Sequence, residues 1–178
     1  FATGGIGGVH DAPFDESADL AALARDPVLT VCAGPKSILD AAATLERLET
    51  AGVPVVGYRS DRLAGFLVTL TEHRLPARVD RPELGLSSGV VPSTPVSSGL
   101  EPEEFAALRE RAEAALRGRG VRGRDATPFL LAELAAISGG RTVDVNTRLL
   151  EENAALAARV AAAYRRLAQA AAPHGVSA

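Results

Sequence analysis

The sequence predicts an α/β fold in which a mainly parallel sheet precedes a helical C-terminal region. Two apolar runs, 28–33 and 53–58, flank a helical pattern that begins near residue 37 and stops at Gly52. Such a strand–helix–strand unit joins parallel strands through a right-handed crossover. Residues 101–172 repeat apolar side chains at helical spacing. A chain of 178 residues with 47 % hydrophobic content suits one domain with its own core.

That single domain, residues 1–178, divides by composition into four segments. They are a site-bearing α/β part (1–80), a loop (81–100), a helical part (101–172) and a short tail (173–178). The loop is rich in Gly, Pro and Ser and poor in charge. A loop of this length in a compact domain is usually functional or disordered, and its low charge favours an ordered loop that faces the site.

Composition argues against two classes of partner. The formal net charge is −3, which disfavours a surface for nucleic acid or anionic membrane. Aromatic residues make up 4 % of the chain and Trp is absent, so a stacking platform for single-stranded nucleic acid is not expected. No run of about 18 apolar residues predicts a membrane span.

The single cysteine, Cys32, indicates a small buried side chain in a reducing compartment, so we expect a cytoplasmic protein.

The first ten residues are dense in glycine, with four glycines among the five residues 4–8. Glycine permits a positive φ and a close approach to a ligand, and successive backbone N–H groups can form an anion-binding concavity. The segment matches neither the dinucleotide-binding pattern nor the Walker A pattern. It is either a phosphate-facing loop with Thr3 and His10 as its polar ends, or a plain glycine loop.

An acidic segment leads into the first predicted helix. The helix begins from Ser17, and its apolar face is predicted to hold Leu20, Leu23 and Ala24. Asp15 and Asp19 are four residues apart, so on a first helical turn their carboxylates would share a face, as the ligands of a hard cation do. The alternative is helix capping by Asp15 or Ser17, with acidic side chains at the positive end of the helix dipole. The two roles can coexist.

Lys36 is the only lysine among 19 Lys and Arg residues. It follows the buried run 28–33, at the predicted C-terminal end of a strand and the start of the next helix. Ligands bind outside such strand ends in open α/β sheets. An unprotonated lysine amine can attack a carbonyl carbon, whereas arginine keeps its proton. Lys36 therefore indicates amine chemistry, and the alternative is a lysine that extends into solvent or binds an anion as a point charge.

The segment after Lys36 is predicted to alternate between helix and strand. The helix before Gly52 carries a buried stripe of Ile38, Leu45 and Leu48. The strand 53–58 contains Pro54, which is typical of a strand start. Further short strands are predicted at 66–70, at 77–80 and near 89–91.

Three helices are predicted after the loop, at 101–117, 127–137 and 142–172. Thr127 followed by Pro128 is typical of a helix start, and Thr142 is a predicted cap of the last helix. The arginine-rich segment 117–124 between the first two is interpreted as a solvated linker in preference to a phosphate patch.

The last helix carries two asparagines on or beside its apolar stripe, Asn146 and Asn153. An amide among apolar side chains costs free energy unless it is paired. Each asparagine therefore either fixes the packing register or lines a polar site. The stripe itself is predicted from Val143, Leu149 or Leu150, Leu156, Ala157, Val160, Tyr164 and Leu167.

Four stretches carry a recognisable family pattern: Thr3 to His10, Phe14 to Leu20, Val31 to Pro54, and Thr127 to Leu131 with Gly139, Gly140 and Asn146. Together they resemble the pseudouridine-5′-phosphate glycosidase family, also called indigoidine synthase A-like. The resemblance covers nearly the whole chain apart from residues 81–100.

The resemblance implies a three-layer α/β/α fold, a homotrimer, and reversible cleavage of the C–C glycosidic bond of pseudouridine 5′-phosphate to uracil and ribose 5-phosphate. It implies that Lys36 forms a Schiff base with C1′ of the opened sugar, and that Asp15 binds one divalent cation, Mn²⁺. An iminium at C1′ would form as uracil leaves as a carbon acid. The implied substrate-binding residues are Thr3, His10, Ser17, Ala18, Asp19 and Asn146.

The family pattern also includes an upstream segment with a glutamate general acid and a second lysine, so we expect this chain to be the C-terminal portion of a longer fold. Two alternative functions follow. One is a catalytically incomplete chain that binds sugar phosphate or assembles as an oligomer. The other is a different Schiff-base lyase for phosphosugars, similar to an aldolase, which dependence on uracil would distinguish.

Overall fold

The computed structural model describes residues 1–10, 15–82 and 91–171 and confirms the α/β class. Predicted features at Phe14, at 83–90 and in the tail 173–178 lie outside the described residues. The elements are α1 (Ala18–Arg25), α2 (Ala41–Thr50), β1 (Val55–Tyr58), β2 (Arg62–Gly65), β3 (Val68–Arg74), β4 (Ala77–Val79), β5 (Val91–Ser93), α3 (Pro102–Arg119), a 3₁₀ turn (Gly123–Asp125), α4 (Ala126–Ile137) and α5 (Arg141–Ala171).

The predicted parallel sheet is confirmed, with β1 between β4 and β5. Cys32 extends this sheet through a parallel bridge to Ser93, and Val31 bridges to Ala2 in turn. The two strand segments of the predicted strand–helix–strand unit are therefore parallel, but β5 lies between them.

Helices cover both faces of the sheet, which confirms the three-layer arrangement. Cys32 and Val55 pack with α1 and α2 on one face, while Val31 and Tyr58 pack against α5 on the other. Adjacent residues of one extended segment point to opposite faces, and both faces here are apolar. None of the described helices has the length and apolar character to cross a membrane.

The predicted strand 28–33 is wrong as a regular strand. Val31 and Cys32 make only single bridges, and residues 27–30 have no regular structure. The segment nevertheless lies in the sheet, since Thr3 N donates to Val31 O at 3.0 Å. The extended run ends at Gly34, whose φ of +82° turns the chain out of the strand direction.

Of the predicted strand 66–70, residues 68–70 are confirmed as the start of β3, but Phe66 and Leu67 form the turn of the antiparallel hairpin between β2 and β3. Both side chains are buried, so the apolar run reflects burial of a turn. Phe66 holds a φ of +62°, which is uncommon for a residue with a side chain. The strand predicted at 77–80 is confirmed as β4.

The helix predicted from residue 37 begins at Ala41, because Asp40 caps α2 with its Oδ1 2.9 Å from Ala43 N. Lys36 therefore lies in the loop before α2. Gly52, with a φ of +71°, follows the helix end as predicted. In the predicted apolar stripes, Leu48 is buried as predicted. Ala24, however, is exposed, and Leu45 is only half-buried.

The two predicted threonine caps lie inside their helices instead. Thr127 is the second residue of α4, and its Oγ1 lies 3.2 Å from His10 Nε2. Thr142 is the second residue of α5 and is buried against Ser138. Both hydroxyls contact other parts of the protein, so neither caps its own helix.

The stripe predicted for α5 is correct only in its middle. Leu149, Leu156 and Val160 are buried. Val143, Tyr164 and Leu167 are exposed by 50 %, 65 % and 45 %. The buried face is offset toward Val145, Asn153 and Ala163, and the residues of α5 described after Ala163 are all exposed.

One apolar core joins the α/β part to the helical part and lies behind the loop of Lys36. Its members come from the 33–39 loop, the β2–β3 turn and all three C-terminal helices: Ala33, Ile38, Leu39, Phe66, Leu67, Phe105, Leu108, Leu130, Leu134 and Leu149.

Candidate functional site

The glycine-rich segment 3–9 runs through the middle of the candidate site. On one side, Lys36 N donates to Ile6 O at 3.0 Å. On the other, Gly7 N donates to Asp19 Oδ2 at 2.7 Å. The segment therefore connects the loop of Lys36 to the first turn of α1.

Glycine is needed in this segment for close packing within the protein. Gly4, Gly5, Gly7 and Gly8 are absent from the residues with positive φ, so that expectation is wrong. A Cβ on Gly7 would collide with the Ser17 side chain, and a Cβ on Gly4 would lie 2.9 Å from Asn146 Oδ1. The close approach predicted for a ligand is made here by the protein's own side chains.

The backbone amides of this segment are partly occupied. Gly7 N has the carboxylate of Asp19 as its acceptor, and Val9 N donates to Thr44 Oγ1 at 3.0 Å. Thr3 N and Ile6 N also donate within the protein, to Val31 O and Gly34 O, each at 3.0 Å. Much of the predicted anion-binding concavity is therefore occupied by the protein's own acceptors.

Ser17 caps α1, and its Oγ accepts from Asp19 N at 3.2 Å. The predicted placement of Asp15 and Asp19 on one helical turn is wrong, because α1 begins at Ala18 and Asp15 lies before it. Asp15 instead accepts the backbone N–H of His10 at its carbonyl, at 2.9 Å. Ala18 is exposed.

His10 and Asp15 share a cavity of about 390 Å³ with Arg117 and Arg122. The His10 ring is half-buried and meets Thr127 of α4. The arginine-rich segment, predicted to be a solvated linker, thus lies beside two of the predicted site residues. Arg117 is already paired, since its Nη1 lies 3.8 Å from a Glu113 carboxylate oxygen.

The two asparagines of α5 have different surroundings. Asn153 is 1 % exposed, and its Nδ2 donates to Thr3 O at 2.8 Å and Gly4 O at 3.2 Å. This amide holds α5 against the glycine-rich segment, which favours the packing alternative for Asn153. Asn146 is exposed, with its Oδ1 above Gly4. Its place is compatible with ligand contact.

Lys36 is half-buried and lines a cleft of about 310 Å³. The β2–β3 hairpin forms one wall of this cleft and α3 another. The polar and charged side chains that share it with Lys36 are Ser37, Asp40, Thr71, His73 and Arg109. Arg109 donates from Nε to Glu113 Oε1 at 2.6 Å.

The predicted site residues do not share one cavity. Lys36 lines the 310 Å³ cleft, His10 and Asp15 line the 390 Å³ cavity, and Thr3 and Asp19 line a third cavity of about 440 Å³. The glycine-rich segment connects these groups. It contains Thr3 and is followed by His10, and its backbone is hydrogen-bonded to Lys36 and Asp19.

Sequence reasoning missed Thr127, His73 and Arg109 as neighbours of the predicted site. They lie on α4, β3 and α3. No local pattern marks His73 or Arg109, and the pattern at Thr127 indicated only a helix start. Folding of the distant helices and the hairpin brings these residues to the site.

The described ranges contain no group of three or more His, Cys, Asp or Glu that could hold a metal ion. A protein cage for a cation is therefore not formed by these residues. A single carboxylate such as that of Asp15 would suit only a hydrated cation, which binds through one or two carboxylates and retains several waters.

Cys32 is fully buried, and burial raises the pKa of its thiol to about 12. The thiol is therefore kept neutral at physiological pH and is a poor nucleophile. This agrees with the expected role as a small buried side chain.

Comparison with known proteins gives a consistent result. The family model described as indigoidine synthase A like protein matches residues 1–163. A curated relative from Thermus thermophilus, named pseudouridine-5′-phosphate glycosidase, is 54 % identical over 174 residues, which is 92 % of this chain and 62 % of the relative. The chain spans about three-fifths of the length of the curated relatives it matches.

Two solved structures share the fold. A prealnumycin C-glycosynthase in complex with ribulose 5-phosphate superposes with a TM-score of 0.85 at 32 % identity, over 95 % of this chain and 61 % of that one. An indigoidine synthase A-like protein from Thermotoga maritima gives a TM-score of 0.78 at 34 % identity, over 90 % and 57 %. The family model spans most of the chain, and the chain belongs to the indigoidine synthase A-like family.

Proposed function

We propose that this chain carries the nucleophile of a pseudouridine-5′-phosphate glycosidase, which reversibly cleaves the C–C bond between uracil and ribose 5-phosphate. The observation that carries the proposal is Lys36, the only lysine, lining a cleft while its backbone is hydrogen-bonded to the glycine-rich segment. The names of the relatives support the activity. The complex of the C-glycosynthase with ribulose 5-phosphate supports a phosphosugar ligand.

The proposed cleavage uses the amine of Lys36 in two stages. The unprotonated Nζ attacks C1′, the C1′–O4′ bond breaks, and O4′ takes up a proton while Nζ loses one. The C1′–C5 bond then breaks, and its electron pair goes to C5 of uracil, which also takes up a proton. An iminium remains between Nζ and C1′, and water hydrolyses it to ribose 5-phosphate and the free amine.

We propose that substrate lies along the glycine-rich segment, within reach of Thr3, His10, Ser17, Ala18, Asp19 and Asn146. The support is that this segment touches the loop of Lys36, the start of α1 and Asn146. Because glycine has no side chain, the polar side chains around the segment are the groups that can contact the sugar and the base.

We further propose that Asp15 is the one protein ligand of a hydrated divalent cation, Mn²⁺. The ion would supply positive charge beside the phosphosugar when bound. The support from this chain is that Asp15, a half-buried residue, lines a cavity large enough for a hydrated ion.

Assembly as a homotrimer in the cytoplasm is also part of the proposal. Exposed apolar side chains on α5, among them Leu150, Tyr164 and Leu167, support a subunit contact. The single buried thiol of Cys32 supports a reducing compartment.

The test is synthesis in the reverse direction. The chain is incubated with ribose 5-phosphate, uracil and Mn²⁺, and pseudouridine 5′-phosphate is measured by chromatography and mass. We expect product with the parent chain and none with Lys36→Arg. Consumption of the sugar phosphate without uracil would favour the aldolase-like alternative, and calorimetric binding of it without product would favour the binding alternative.

A further inference from the structure

The loop that carries Lys36 is attached to the β2–β3 turn on both sides of the lysine. Before Lys36, Ala33 O accepts from Phe66 N at 2.9 Å. After Lys36, Ser37 Oγ accepts from Leu67 N at 2.9 Å. The hairpin turn therefore fixes the backbone on either side of the proposed nucleophile.

The turn itself is held in a sparsely populated conformation. Phe66 has a φ of +62°, in the left-handed region that residues with a side chain seldom adopt. Such backbone persists where the surrounding structure over-determines it, and it clusters at functional sites. Here the bond from Phe66 N to Ala33 and the burial of its ring against Gly4 and Gly5 supply that constraint.

The hydroxyl of Ser37 uses its donor and an acceptor site within this contact. It donates to Gly65 O at 2.6 Å and accepts from Leu67 N at 2.9 Å. Its single proton is therefore engaged with a backbone carbonyl and is not offered to a substrate. Ser37 also binds through its backbone, since Ser37 O accepts from Arg109 Nη1 at 3.5 Å.

We propose that Ser37 is a positioning residue for Lys36, a proposal that rests on the proposed function. A lysine side chain has four rotatable bonds, so only its backbone anchor and the cleft walls fix the position of Nζ. Ser37 locks that anchor to the hairpin, whose residues Thr71 and His73 line the same cleft. A displacement of about 1 Å in such a group can cost on the order of 10²-fold in rate.

The experiment compares the same deletion at two serines of this region. Ser60 is the matched control, because its Oγ also donates to one carbonyl and accepts one N–H, both of Arg62, away from the lysine loop. The measured quantity is the rate at which the borohydride-trapped adduct with ribose 5-phosphate forms. We expect a loss of about 10²-fold in Ser37→Ala, recovery in Ser37→Thr, and a rate close to the parent in Ser60→Ala.

A second measurement does not require turnover. Reductive ¹³C-methylation labels Lys36 and the α-amino group, so Lys36 gives one assignable lysine signal in an NMR spectrum. We expect Ser37→Ala to shift or broaden that signal and to raise the exchange rate of the Leu67 amide at least about tenfold. Ser60→Ala should leave both unchanged.

The outcomes separate the two proposals. No trapped adduct in the folded parent would refute the proposed function, while the NMR signal would still decide whether Ser37 positions Lys36. An unchanged Lys36 signal in Ser37→Ala, or equal rate losses in Ser37→Ala and Ser60→Ala, would overturn the positioning role.

Discussion

Replacement of Asn153 by Ala tests the connection between α5 and the glycine-rich segment. The Asn153 side chain is 1 % exposed and donates from Nδ2 to the carbonyl oxygens of Thr3 at 2.8 Å and Gly4 at 3.2 Å. Alanine removes both donors and leaves a small void between the helix and the segment.

The magnitude follows from the two acceptors. Thr3 O loses its donor in a partly buried setting, which costs about 1–3 kcal/mol. Gly4 O keeps the N–H of Ala33 at 2.8 Å, so its loss is the net value of one hydrogen bond, about 0.5–1.5 kcal/mol. We therefore expect Asn153→Ala to lower the free energy of unfolding by roughly 2–4 kcal/mol, a large part of the 5–15 kcal/mol typical of a domain.

Urea denaturation followed by circular dichroism measures this change, with Asn146→Ala as the matched control on the same helix. Asn146 is exposed, so its replacement should stay within about 0.5 kcal/mol of the parent. Under the proposed function, the same replacement should reduce activity. A cost below about 0.5 kcal/mol for Asn153→Ala would contradict a role of its amide in securing α5.

Two further predictions concern packing and burial. Gly7→Ala should destabilise the chain by about 1–3 kcal/mol, because the new Cβ meets Ser17. Gly118→Ala, within α3 and with open space around it, should stabilise by about 0.5–1 kcal/mol; equal effects in urea denaturation would contradict this reasoning. Burial raises the pKa of the Cys32 thiol to about 12 from an ordinary 9.0. The contribution of the neutral thiol to the free energy of unfolding is therefore fully present below pH 9 and is lost as the pH rises toward 12. Iodoacetamide at pH 8 should therefore label Cys32 only in urea, and rapid labelling of the folded chain would contradict the burial.

Elements marked by local, periodic signals were predictable from the sequence. The helix predicted at 101–117 is observed as α3, Pro102–Arg119, because a proline start and a glycine end bound its pattern. The strand β4 and the helix stop at Gly52 were likewise predictable. In each case the residues that decide the structure lie within the element or next to it.

The hairpin at Phe66 could not be predicted from its own residues. The run Phe66–Leu67–Val68 contains no turn-forming residue, and its apolar character is equally typical of a strand. Its turn conformation is held by hydrogen bonds to Ala33 and Ser37, about 30 residues away. Such long-range constraints override local propensity.

The candidate site was predictable in its residue types but not in its arrangement. The single lysine and the glycine-rich segment could be singled out from composition and spacing. Their relation could not, since the bond from Lys36 N to Ile6 O joins residues that no periodic pattern connects. The neighbours His73 and Arg109 come from β3 and α3, which approach Lys36 only in the folded chain.

Borohydride trapping with ribose 5-phosphate, read by intact mass, tests whether Lys36 is the nucleophile. Because Lys36 is the only lysine, Lys36→Arg separates its amine from the α-amino group. We predict one reduced sugar-phosphate adduct on the parent chain and none on a folded Lys36→Arg variant. The same adduct on both proteins, or no adduct on the folded parent, would contradict the assignment of Lys36 as the nucleophile.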